Sequence, residues 1–166
     1  MLPAIGVLAV GAIPFVRYAQ KSRIESATAQ LLREVHVAQE GFRDAGNGSG
    51  YATALESLLQ PCPGATTMSL TATAIASIRA AGYELIVRPA EGAIPSLADC
   101  HGRPTTSNYY ASVAPRSIES PGQQAFALTA TGRIYVFFDG VAPLERDMAP
   151  GGLATPLESV PTFKIP

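Results

Sequence analysis

Two cysteines, two histidines and a run of three carboxylates are the residues in this chain best equipped for chemistry. Cys62 and Cys100 can remain thiols or join as a bond. Neither lies in a C-x-x-C-H, so covalent haem attachment is excluded. His36 and His101 make a poor metal pair, since His36 lies in a helical stretch and His101 in a loop beside Cys100. Asp139, Glu145 and Asp147 offer the oxygen atoms that calcium prefers, but their spacing matches no cation-binding loop and reads as a solvated face. Asn47-Gly48-Ser49 fits the N-glycosylation acceptor pattern in a glycine-rich loop. There is no glycine-rich phosphate loop, no nucleophile elbow and no motif that makes either histidine a base for serine. No catalytic residue, metal site or cofactor is expected, and the chain does not read as an enzyme.

At 166 residues the chain suits one domain with a possible appendage. Its net charge of -1 comes from 12 basic and 13 acidic residues. Apart from Arg17, Lys21 and Arg23 the basic residues are scattered, so no nucleic-acid partner is expected. Only 15% of residues are charged, which suits the neutral, loop-rich surface of an extracellular or assembled subunit.

These residues must be positioned by a chain that begins unusually. "MLPAIGVLAVGAIPFV" carries no charge for sixteen residues. A bilayer-spanning helix needs about 20 apolar residues, so the run is slightly short. A cleavable signal peptide would need a basic start and a small-residue cleavage site, and this run has no basic start and leads straight into a helix. The pattern predicts one long helix with segment 1–23 apolar and segment 24–46 amphipathic. In the second segment Ile24, Leu31, Val35, Ala38 and Phe42 recur on one face. Pro14 removes a backbone donor and is expected to kink or loosen that helix, and the glycines after residue 45 should end it.

Segment 47–166 reads as an α+β head. Helix is expected over 51–61, with Leu55, Leu58 and Leu59 inward, and over 69–82, capped by Ser69 and ended by Gly82. Strands are expected over 83–89, 107–115, 124–130 and 132–140, the last two joined by a tight Thr131-Gly132 turn. The Pro- and Gly-rich tail from Val141 is expected to be irregular coil.

The block "IGVLAVGAIPFVRYAQKSRIESATAQLLREVHVAQEGFRDAG" followed by "YATALESL" resembles the type IV pilins and the pseudopilins of type II secretion. Ile5-Gly6-Val7-Leu8 and Ala12-Ile13-Pro14 match the family's apolar segment. Ala38-Gln39-Glu40 with Phe42 match its helical signature, and Tyr51, Leu55 and Leu58 the segment after it. "FALTATGRIYVFFDG" is similar to the late hairpin of longer pilins. The likeness runs through nearly the whole chain and is strongest over residues 5–59. The family's processing glycine and the glutamate that follows it are absent, which places Met1 inside the mature family sequence.

The resemblance implies the type IV pilin fold, a long N-terminal helix packed against a small antiparallel sheet. It implies a subunit held in the inner membrane, handled by an assembly machinery and built with copies of itself into an extracellular filament. Ala4, Ile5, Gly6, Val7, Leu8, Val10, Gly11, Ile13, Pro14, Phe15 and Val16 would pack the filament core, with the backbone extended over about residues 6–14. The helix face from Ile24 to Phe42 would anchor the head, and Glu25 and Glu34 would meet cations of neighbouring subunits. In an exported chain two cysteines usually pair. A Cys62–Cys100 bond would close a loop around the second helix and first strand and contribute about 4 kcal/mol in the chain-entropy model. The rival functions are a pseudopilin in a short periplasmic pseudopilus and an N-terminally anchored monomeric binding domain.

Overall fold

A computed structural model describes residues 12–45, 50–60, 62–63, 70–117 and 124–159, with side chains from Ser22 to Glu158. Helix α1 runs Ala12–Ala45, followed by strand β1 (Tyr51–Ala52), helix α2 (Leu55–Leu59) and helix α3 (Ala72–Ala80). Strands β2 (Tyr83–Pro89), β3 (Pro95–Ser96), β4 (Thr105–Thr106), β5 (Tyr109–Pro115), β6 (Ala125–Thr129), β7 (Ile134–Phe137) and β8 (Thr155–Pro156) complete the head. They form a three-stranded sheet in the order β1-β4-β3 and a five-stranded sheet in the order β2-β5-β6-β7-β8. All pairings are antiparallel.

Alternation along the large sheet explains its two covers. Tyr83, Val87, Tyr109, Ala111, Val113, Phe126, Leu128, Ile134 and Val136 point to one face and pack in a single core with α1 and α3. Residues between them, Tyr110, Ala127, Tyr135 and Phe137, point the other way and pack with Ala90, Met148 and Ala154. The sheet is therefore sandwiched between helices and the C-terminal tail.

The pilin fold expected above is not the fold observed. The head carries two antiparallel sheets where one small sheet was expected. Among the described residues no helix is long and apolar enough to cross a membrane. The described side chains of α1 explain that: Arg23, Gln30, Arg33 and Asp44 are exposed, opposite a buried stripe. The chain is mixed α+β, with strands supplying more elements than helices. No interruption marks Pro14 either, because α1 is helical from Ala12 through Pro14. The extended backbone expected over 6–14 thus fails at 12–14, and residues 6–11 lie outside the described ones.

Smaller corrections have local causes. Tyr51 and Ala52, expected in a helix, pair with Thr106 and Thr105 as a strand. Helix α3 is capped by Thr71, whose Oγ1 accepts from Ala74 N at 3.1 Å; Ser69 lies outside the described residues. The β6–β7 connection is wider than a two-residue turn, running 130–133 with Gly132 at φ 72°. The tail is not wholly coil. It forms a 3-10 turn at Glu145–Met148 and then supplies β8, which pairs with β7 at the sheet edge.

Candidate functional site

The densest polar chemistry lies where α1 meets the small sheet. Gln39 is fully buried, and its amide does what a paired strand would do. Its Nε2 donates to Ala52 O at 3.0 Å, and its Oε1 accepts from Ala52 N at 2.8 Å. One helical residue later, Glu40 Oε1 accepts from the Tyr51 hydroxyl at 3.0 Å. Arg43 Nη1 donates to that hydroxyl at 2.5 Å and pairs with Glu40. Burial and the Glu40 carboxylate push the Tyr51 hydroxyl above its ordinary pKa, against the pull of Arg43.

The Tyr51 ring lies 5.0 Å from that of Tyr109 at an angle of 60°. His36 Nδ1 shares a hydrogen bond of 2.8 Å with the Tyr109 hydroxyl. Burial, with Glu40 and Tyr51 nearby, raises the pKa of Tyr109 far above the ordinary range. The group therefore stays a neutral hydrogen-bonding partner. Thr28, Leu32 and Val35, completely buried, and Leu31, Ala38 and Phe42 continue the contact along α1.

A second cluster surrounds the disulfide between Cys62 and Cys100. Beside it Asp99, with no exposed side-chain surface, organises a loop. Its Oδ1 accepts from His101 N at 2.9 Å and Arg103 N at 2.8 Å, and its Oδ2 from Arg103 Nε at 2.7 Å. Burial alone would raise the Asp99 pKa, but these hydrogen bonds and the Arg103 charge outweigh it and hold the carboxyl below its usual value. Arg103 also donates to Gln60 O at 2.8 Å, tying the two disulfide-bearing segments together.

A third cluster fastens the tail. Arg88 stacks 4.2 Å from the Tyr110 ring centroid and pairs with Glu145 at 3.0 Å. Both Glu145 oxygens accept from Glu91 N, at 2.9 and 2.8 Å, and the Tyr110 hydroxyl donates to Pro143 O at 2.6 Å.

The structure sorts the expected residues. Cys62 and Cys100 are brought together, and Leu31, Val35, Ala38 and Phe42 share the core, with Ile24 partly buried against it. Residues 1–11 of the expected filament core lie outside the described residues, as does Asn47; of Ile13, Pro14, Phe15 and Val16 only the helical backbone is described. The acidic trio disperses: Asp139 accepts from Val141 N, Asp147 from Leu144 N, and Glu145 turns to Arg88. The solvated face expected for Glu145 is wrong, because its carboxylate is mostly covered.

Sequence reasoning missed Leu32, Thr28 and Asp99, and it placed Gln39 in the helical signature without its clamp on Ala52. Leu32 was visible, since 28, 32, 35 and 39 step by four, three and four on one helix face. Gln39 gave no hydrophobic signal. Beside α1 a cleft of about 170 Å³ is lined by Arg33, Gly132, Ile134, Leu157 and Glu158, small for a ligand site, which typically spans about 300–1,000 Å³. Set against known protein families, curated proteins and solved structures, the chain matches none.

Proposed function

We propose that the chain is a structural subunit that polymerises through its apolar N-terminal segment into an extracellular filament, as type IV pilins do. The likeness is strongest over residues 5–59, in that segment, the helix it leads into and the stretch that follows. One observation carries the reading: sixteen uncharged residues lead without a break in the sequence into a helix whose far end is bonded to the head through Gln39 and Glu40. A helix fastened to the head at one end would hold the apolar segment at its other end, for sister chains to pack against. Apolar residues there exchange lipid for helix contacts as the subunit leaves the inner membrane, and Arg17, Lys21 and Arg23 flank the membrane boundary. A head-to-tail contact that does not close on itself gives a helical polymer.

Electron microscopy of the full chain after detergent removal tests this. Uniform filaments are expected, and Leu8→Arg should abolish them while leaving the circular dichroism of the head unchanged. A monodisperse monomer in light scattering, with no fibres on the grid, would overturn the assignment in favour of an anchored monomeric domain.

A further inference from the structure

We propose that Cys62, Cys100 and His101 form a zinc site whenever the disulfide is reduced. The two sulfurs and a His101 ring nitrogen all lie within 4.8 Å of one another, and among the described residues this is the only group of three such ligands so placed. Two thiolates and an imidazole are a donor set zinc favours, with the fourth tetrahedral position left to water. Ideal zinc bonds place the ligand atoms about 3.6–3.8 Å apart. On reduction the sulfurs need only separate from bonding distance, and the imidazole needs to close by about an ångström, to reach that spacing.

The frame for this does not depend on the disulfide. Asp99 holds the backbone N–H groups of His101 and Arg103, on either side of the loop glycine, and Arg103 reaches across to Gln60 O, two residues before Cys62. None of these bonds involves the sulfurs, and they are what would hold the two ligand segments once the sulfur–sulfur bond breaks. His101 and Cys100 are exposed, which gives an ion access, whereas Cys62 is buried beneath them.

The chemistry balances with a thiol or phosphine reductant. A dithiol supplies two electrons and two protons, leaves as its own cyclic disulfide, and converts the bond to two thiols. Zinc then displaces both thiol protons to solvent and takes the neutral imidazole nitrogen, so the site becomes electrically neutral. Bond and metal exclude each other, and the loop reports redox state by which one it holds. This inference is independent of whether the chain forms filaments.

The test is a cobalt(II) titration of the full chain reduced with a water-soluble phosphine, followed by displacement with zinc. Expected are one equivalent of tetrahedral cobalt absorption with thiolate charge transfer, no such signal from the oxidised chain, and at least tenfold weaker binding by reduced His101→Ala. Three results would overturn the site: equal affinity of reduced and oxidised chains, equal affinity of the reduced chain and reduced His101→Ala, or loss of native circular dichroism on reduction before metal is added.

Discussion

Gln39 and Ala52 exchange two hydrogen bonds, a side chain meeting a backbone as one strand meets another. Both partners are fully buried, so nothing from solvent can replace the amide. Gln39→Leu should leave the Ala52 N–H and C=O unpaired and cost about 2–4 kcal/mol. Gln39→Glu keeps one acceptor but loses the donor and buries a charge, so it should be at least as damaging. Urea unfolding reads both. A loss under about 0.5 kcal/mol, the size of an ordinary surface change, would deny the clamp its role.

Asp99 gives the fold an acid limb of definite sign. Its carboxyl is held below the ordinary value of 3.8 in the folded chain. The stabilisation it provides is therefore complete above the unfolded pKa and is lost as pH falls through the folded one. Asp99→Asn should be less stable than the parent at neutral pH. The gap should narrow steadily as pH drops below the ordinary carboxylate range. A gap constant from pH 7 to pH 2 would show that the carboxylate charge does not matter there.

The elements legible in the sequence were those with a period. Seven-residue β2, bounded by Gly82 and Pro89, lies where its β-branched and aromatic run and a closing proline put it. The stripe on α1 was legible because four-and-three spacing needs only apolar residues to reveal it. Two-residue strands have no period, so β1, β3, β4 and β8 left no mark, and with them went the second sheet. The tail expected to be coil supplies β8 with Pro156 in it, at the sheet edge, where a missing donor costs little. At the candidate site the cysteines identify themselves as a pair, whereas Asp99 and Gln39 act through backbone groups that fold beside them only in three dimensions.

Removing the disulfide should weaken the head without unfolding it. The cysteines are 38 residues apart, which in the chain-entropy model is worth about 4 kcal/mol. A domain of this kind has a total stability of about 5–15 kcal/mol, so the doubly substituted Cys62→Ser, Cys100→Ser chain should remain folded with a lower urea midpoint. An unchanged midpoint would mean that the two segments are held as well by Asp99 and Arg103 alone.

The tail depends on one carboxylate. Glu145 meets both the Arg88 guanidinium and the Glu91 N–H, and only 14% of its side chain is exposed. Glu145→Ala should make local release of the 141–154 segment easier by about 1–2 kcal/mol, enough to speed its proteolysis about tenfold. Chymotrypsin cleavage near the exposed Leu144 and Leu153, followed by mass spectrometry, would measure it. Equal cleavage rates would show that Met148 and the Tyr110–Pro143 bond hold the tail without it.

Gly132 carries the sharpest prediction, because two penalties there can be separated. Its φ of 72° costs a side-chain-bearing residue about 1 kcal/mol or more. A Cβ there would also lie 2.6 Å from His36 Nε2, closer than packed atoms tolerate. Gly132→Ala must therefore displace the imidazole and break its 2.8 Å bond to the buried Tyr109 hydroxyl, for a total of about 2–4 kcal/mol. In a His36→Ala background the clash is gone and the bond already lost. The same substitution should then cost only the backbone part, about 1 kcal/mol. A double-mutant cycle by urea unfolding tests the coupling, and equal costs in both backgrounds would show that the turn and the histidine do not press on each other.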